Sequence, residues 1–205
     1  MEITPQQEAL LLTFAEQLTR FNATHNLVSR MSTGDILDRH IRHCLYLARR
    51  GFPAGATVVD WGTGGGLPAI PLALLFPETR FVAVDAVEKK IMVVRAIARR
   101  LGLDNLEAWH GRAEAWPGRT HYSVSRATAP LATLWSWHHR VVEPLDCVDP
   151  SCWPPGLVCL KGGDLTTEIA DLSARYPATR VDVQPLEDLG APPYFEEKLM
   201  VHVVA

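Results

Sequence analysis

The stretch Val58-Val59-Asp60-Trp61-Gly62-Thr63-Gly64-Gly65-Gly66-Leu67-Pro68 constrains this chain more than any other. A short apolar run ends in an acid, four of the five residues 62–66 are glycine, and Pro68 opens an apolar, helix-prone segment. Proline suits a first helical turn, because its missing N–H would have lacked a partner there anyway. Strand, tight turn and helix start, in that order, leave bare backbone against which a ligand can lie. A dinucleotide-type G-x-G-x-x-G turn needs a third small residue for close helix–strand packing. Counted from Gly62, that position is Leu67, so the pattern present is D-x-G-x-G-x-G, from Asp60 to Gly66. A plain glycine turn between strand and helix is the alternative.

On either side of this turn the hydrophobic periodicity changes. Leu11, Phe14, Ala15 and Leu18 recur at helical spacing and predict a helix over 5–20, followed by a loop over 21–30. Ser32-Thr33-Gly34-Asp35 offers caps for a second helix to about residue 50, with Ile36, His40, His43, Cys44 and Leu47 near one face. Beyond a turn-rich join at 51–55, strands are predicted at 57–61, 80–85, 106–109, 122–126 and 156–161. They alternate with helices over 67–76, 88–101, 130–142 and 164–176, and two consecutive strands follow at 180–184 and 199–204. Such alternation predicts an α/β, Rossmann-like fold: a seven-stranded, mostly parallel sheet with helices on both faces. Residues 1–52 are expected to be a helical extension packed on a core formed by 53–205. Residues 146–155, with Pro150, Pro154 and Pro155, read as a rigid surface loop without evident chemistry.

At 205 residues, 47% hydrophobic and 21% charged, the chain has material for one sizeable core. Met1-Glu2-Ile3-Thr4-Pro5 has no basic region ahead of an apolar one, and the longest near-apolar run, 67–76, is far short of the ~20 residues of a membrane helix. Cys44, Cys147, Cys152 and Cys159 form no C-x-x-C pair and no matching histidine spacing, so neither a zinc site nor a disulfide framework is expected. The expected address is cytoplasmic. A net charge of −3 does not advertise a nucleic-acid binder, yet residues 20–50 carry six arginines against Asp35 and Asp38. That is a basic N-terminal face; ordinary solvated helix surface explains it equally well.

Asp60 to Gly66 resembles motif I of S-adenosylmethionine (SAM)-dependent methyltransferases, and two consecutive terminal strands match the methyltransferase variant of the doubly wound sheet. The whole chain resembles the RsmG (GidB) family of 16S ribosomal RNA guanine-N7 methyltransferases. Its residues 60–73 are similar to the family's D-V-G-T-G-x-G-x-P-G-I-P-L-A, Ser125-Arg126-Ala127 to its S-R-A and Leu160-Lys161-Gly162 to its L-K-G. Phe21-Asn22, Asn26-Leu27 and Arg39-His40 resemble the family's aromatic-N-x-x-x-N-L and R-H segments. Trp61 stands for the usual Val, Ala69 for the usual Gly, and Cys44 where Asp-Ser often follows R-H. The resemblance implies a SAM-dependent rRNA methyltransferase, monomeric, without metal or membrane, whose partner is 16S rRNA or a small ribosomal subunit precursor.

Methyl transfer from SAM is an in-line displacement at carbon, and guanine N7 offers a lone pair with no proton to lose. Alignment and electrostatics suffice, and no general base is needed. Asp60, Gly62, Thr63, Gly64, Gly66 and Leu67 are the expected cofactor residues of the turn. Asp85, ending the second strand, is placed to accept from the ribose hydroxyls. Ala113 and Glu114 match the family's adenine-contacting pair. Arg126 and Lys161, each closing an apolar strand, are the candidate catalytic groups. Arg126 is suited to the SAM carboxylate or to an RNA phosphate. Asn26, Arg39, His40 and Lys161 are the candidate RNA-facing residues. Each has a structural alternative: helix capping for Asp85, turn stabilisation for Asp60, solvated loop for Glu114, and an ion pair with Asp60 or Glu114 for Arg126. Lys161 has a purely structural role as its alternative, and His40 core packing. Trp135, Trp137, His138 and His139 tempt as a base-stacking platform but at helical spacing read more readily as packing. Two other classes stay open: a SAM-dependent enzyme with another substrate, and a non-catalytic ribosome-assembly protein that keeps the fold.

Overall fold

Runs of β-branched and aromatic residues bounded by turn formers become the strands. A computed structural model describes residues 3–25, 27, 32–126, 128–145 and 149–205, and its strands form one sheet in the order β3-β2-β1-β4-β5-β7-β6. Central β1 (Thr57–Trp61) pairs in parallel with β2 (Arg80–Asp85) and β4 (Tyr122–Arg126). Outside them lie β3 (Leu106–His110) and β5 (Gly156–Gly162), also parallel. Antiparallel β7 (Lys198–Val204) inserts between β5 and β6 (Arg180–Pro185). The chain runs outward from β1 to β3 and then returns to β4, so the crevice between β1 and β4 is the switch point at which open α/β sheets bind ligands.

Alternation along the strands supplies both faces. Val59, Trp61, Val82 and Val84 pack under α6 (Leu131–Val141) and α7 (Thr166–Arg175). On the other face, Ala83 packs in a cluster with Ile70 of α4 (Ala69–Leu75), Ile91 and Val94 of α5 (Glu88–Leu101), and Phe14 and Leu18 of α1 (Pro5–His25). The Rossmann-like sheet with helices on both faces is therefore present as expected. Pro68 precedes α4 as its capping residue rather than opening it.

Three local expectations are corrected. The first helix does not stop at residue 20 but continues to His25, because Phe21, one turn after Leu18, packs on the same apolar cluster. Buried Asn22 then accepts the Leu27 N–H at 2.7 Å and turns the chain. Asn26 and Ala127 lie outside the described residues.

The second helix is not continuous either. It divides into α2 (Thr33–Ile36), a π-helical turn (Leu37–Ile41), α3 (Arg42–Leu45) and a 3-10 turn (Tyr46–Arg49). Ile36 and Ile41 are five residues apart, about 140° around a regular α-helix. The wider turn, closed by the Arg42 N–H on the Leu37 carbonyl, lets both be fully buried.

Residues 149–155 are no mere surface loop. The buried Trp153 indole donates to the Leu47 carbonyl at 2.8 Å, and Tyr122 Oη donates to the Trp153 carbonyl at 2.9 Å. Gly51 N–H bonds Ser151 O, and Trp153 N–H bonds Gly51 O, so the segment clasps the N-terminal elements to the sheet. No helix among the described residues is long and apolar enough to cross a membrane.

Candidate functional site

The C-terminal ends of β1, β2, β4 and β5 open into one cleft of about 1040 Å³. Gly64, at φ +57°, has nothing within 4 Å of where a Cβ would stand, so its backbone faces open cleft. Gly65 is the opposite case, because a Cβ there would come within 2.7 Å of Leu18 in α1. The turn is thus bare on the ligand side and tightly backed by the N-terminal helix.

Two carboxylates shape this turn from different sides. Asp85, 8% exposed, accepts the Gly64 N–H at 3.0 Å and the Val87 N–H at 2.9 Å, with Lys90 Nζ 3.8 Å away. Its pinning of the turn leaves one free lone pair per oxygen for a diol. Asp60 is fully buried, does not line the cleft, and caps α4 through the Ala69 N–H at 3.1 Å. Burial lifts its pKa to about 7 against the opposing pull of the Thr63 hydroxyl, the Ala69 N–H and Arg126. The geometry matches the turn-stabilising alternative for Asp60. Gly66 also sits behind the turn, whereas Gly62, Thr63 and Leu67 line the cleft.

At the far wall, Ala113 and Glu114 lie in a 3-10 turn after β3. Glu114 accepts the Trp137 indole N–H at 3.0 Å. Trp137 therefore reaches the cleft and is not simple packing. Its three companions do not join it. Trp135 and His138 are buried, His138 in a line from the Trp61 indole through Ser123 Oγ to His138 Nδ1, each step 2.9 Å. His139 sits outside, stacked on Trp135.

Arg126 makes neither of the ion pairs considered for it. Its Nη1 donates to His40 Nδ1 at 2.8 Å, joining β4 to the π-helical turn across the cleft. Accepting at Nδ1 puts the His40 proton on Nε2, a buried atom without a partner. Burial, with Arg126 and Arg39 nearby, holds the His40 pKa down to about 4. His43 lies one turn on, held down to about 3 mainly by burial and stacked on Phe195 at 4.8 Å.

Lys161 lines the cleft, but its ammonium donates to the Ala129 carbonyl and to Glu168 Oε2, both at 2.7 Å. The same Glu168 oxygen accepts the Leu131 N–H, so Lys161 ties β5 to the starts of α6 and α7. That geometry favours its structural alternative. Arg39 is exposed, 3.7 Å from Asp35 and over the Tyr194 ring at 5.4 Å.

Tyr194 and Phe195, in the 3-10 turn Pro193–Phe195 before β7, complete the wall and were missed in the sequence. Two adjacent aromatics after Pro192-Pro193, in a connection between strands with little of its own to cover, were the available signal.

These ionisable groups predict a pH dependence of stability. His40, His43 and His138 have ordinary pKa values of 6.5, while the last, like His40, is lowered by burial to about 4. The unfolded chain therefore binds protons first on acidification, and folding stability falls below pH ~6.5 by about 1.4 kcal/mol per pH unit for each well-buried group. Asp60 acts in the opposite sense. Its folded pKa of about 7 exceeds the ordinary 3.8, so it weakens the fold as pH rises through that window and relieves it as pH falls. Asp60→Asn is expected to steepen the acid loss between pH ~6.5 and ~4 by about 1.4 kcal/mol per unit. Urea denaturation at stepped pH measures this; equal slopes in both proteins would show that Asp60 is already ionised in the native state.

An open glycine turn at the switch point, a carboxylate ending β2 and an antiparallel β7 inserted beside β5 define the class: a Rossmann-like, SAM-dependent methyltransferase. The fold matches a SAM-dependent methyltransferase from Aquifex aeolicus with a TM-score of 0.61, covering 91% of this chain and 97% of that one at 15% identity. It also matches the O-methyltransferase from Bacillus cereus in complex with SAH, at TM-score 0.57 and 17% identity over 94% and 91% of the two chains. Within that class, the chain belongs to the GidB family, rRNA small subunit methyltransferase G, whose model matches residues 7–192. The ribosomal RNA small subunit methyltransferase G of Salinibacter ruber is 55% identical over 98% of this chain and 94% of its own. That of Chlorobium limicola is 39% identical over 98% and 90%.

Proposed function

We propose that this protein transfers the methyl group of SAM to guanine N7 in 16S rRNA, acting in the cytoplasm as a monomer on the RNA or on a small-subunit precursor. The observation that carries the reading is continuity: one cleft runs from the turn at Gly64 and Asp85 to Arg126, His40 and Tyr194. At about 1040 Å³ it exceeds the range of most small-molecule pockets, ~300–1000 Å³, and has room for a cofactor with an extruded base.

The residues present fit the cofactor. Gly64 leaves clearance, and Asp85 keeps two lone pairs for the ribose hydroxyls. The Ala113 backbone, which lines the cleft, would meet the adenine edge. Bound SAM supplies a methyl group already activated by its sulfonium charge. Arg126 has spent one N–H on His40 and would use its others to hold the SAM carboxylate or an RNA phosphate. His40 orients that guanidinium, while exposed Tyr194 offers a ring for an unstacked base and Arg39, which lies over that ring, a phosphate contact. Residues up to Arg50 form the RNA-facing wall in this reading.

The decisive experiment supplies labelled SAM and small subunits that lack the modification, then maps the methyl by strand scission at N7-methylguanine. Label on another atom, or on no RNA, overturns the proposal. A second expectation concerns the proton. Since N7 has none to lose, and His40 and His43 are neutral well below neutrality, single-turnover rates should be flat from about pH 7.5 to 9. A tenfold rise per pH unit there would mean that a base and a different acceptor atom are in use.

A further inference from the structure

Tyr194 and Phe195 have two sides. One faces the cleft; the other lines a separate pocket of about 450 Å³, against Tyr46, Arg42, Arg49 and Asp38. Arg39, which covers the Tyr194 ring, lines the cleft and not this second pocket. Phe195 meets the Tyr46 ring edge-on at 5.8 Å, so the partition between the two spaces is a wall of rings.

The charges here are unequal. Arg42 is held by Glu8 at 2.8 Å and Asp38 at 3.1 Å. Exposed Arg49 forms no ion pair among the described residues, so the pocket has one uncompensated cation at its edge. Asp38, fixed by Arg42, presents carboxylate oxygen able to accept from an amino group of a base.

We propose that this pocket takes an unpaired nucleotide flanking the target guanine, its base against Tyr194 and Tyr46 and its phosphate at Arg49. The inference rests on the reading of the protein as an RNA methyltransferase and deepens it. Adjacency to the cleft supports it, since an RNA strand that delivers a base on one side of the Tyr194–Phe195 wall carries its neighbour past the other. Aromatic faces beside arginine are also the chemistry that holds splayed single-stranded RNA. The pocket belongs to the same basic N-terminal face that the arginine excess marks, in a protein of net charge −3.

The test measures methyl transfer to unmodified small subunits at varied subunit concentration, with SAM affinity measured separately by calorimetry. Arg49→Glu and Tyr194→Ala are each expected to raise KM for the subunits about tenfold. SAM affinity should stay within twofold, and Tyr194→Phe should return KM to within threefold of the parent. Arg49→Glu should also flatten the salt dependence by about one phosphate contact. Arg100→Glu, an equal charge change at the exposed end of α5, serves as the control and should change none of these. If Arg49→Glu or Tyr194→Ala keeps the parent KM, or if either loses SAM binding in parallel, the pocket is not a nucleotide site, although the methyltransferase reading stands. Should Tyr194→Ala fail to fold, the exposed Arg49→Glu decides the matter alone. No transfer by the parent protein would overturn both readings together.

Discussion

Gly64→Val is expected to remove SAM binding, with affinity lowered at least a hundredfold, or about 2.7 kcal/mol. Two effects act together. Gly64 sits at φ +57°, where a β-branched side chain is strained. Its missing Cβ points into open cleft, so the valine methyl groups would occupy the ligand's space and not a protein void. Because nothing in the protein is displaced, the fold should survive, with the Gly64 N–H still on Asp85. Calorimetry with SAM and a thermal melt check the two halves of this expectation. Undiminished affinity in a folded variant would place the cofactor elsewhere.

Arg126→Ala should lower the rate of methyl transfer at saturating SAM and RNA by about 10²–10³, the loss typical of one positioned charged donor. Arg126→Lys should recover little, since an ammonium cannot both hold His40 Nδ1 and present a second planar pair of N–H groups. His40→Ala is expected to cost less, about tenfold, because it disorients the guanidinium without removing it. In the double variant the His40 effect should vanish, which a mutant cycle reads directly. A rate within threefold of the parent for Arg126→Ala would reduce the Arg126–His40 bond to a strap between the N-terminal segment and the sheet.

Asp85 and Arg126 were within reach of sequence reasoning, and the reason is positional. An acid or a base that ends an apolar strand must emerge at the sheet edge, so Asp85 and Arg126 were placed by their strands alone. Lys161 obeys the same rule, yet its ammonium is bound by Glu168, seven residues on. Nothing in the strand pattern says where α7 will start, so the ion pair was invisible. Trp135 and Trp137 show the converse. Two residues apart on α6, they stand about 200° apart around the helix and cannot share a platform. That much is legible from the spacing; which of them meets the cleft depends on Glu114. The π-helical turn was hidden because helical periodicity is read with a fixed pitch, and Ile36 and Ile41 fit only a wider one. Trp153 was hidden because its partner carbonyl at Leu47 lies 106 residues away in sequence.

The seating of α1 has a consequence for the life of the chain. Its apolar stripe, Leu11, Phe14 and Leu18, closes on a cluster that includes Ile91, Val94 and Ile97 of α5, and Leu18 fills the space left by Gly65. Once it has left the ribosome, α1 must therefore wait for the last turns of α5, some 76 residues behind His25. At a synthesis rate of roughly 5–20 residues per second, that is about 4–15 s with a greasy face uncovered. A chain built in this order is most vulnerable to misassociation while it is still half made, until α5 has followed the glycine turn out of the ribosome.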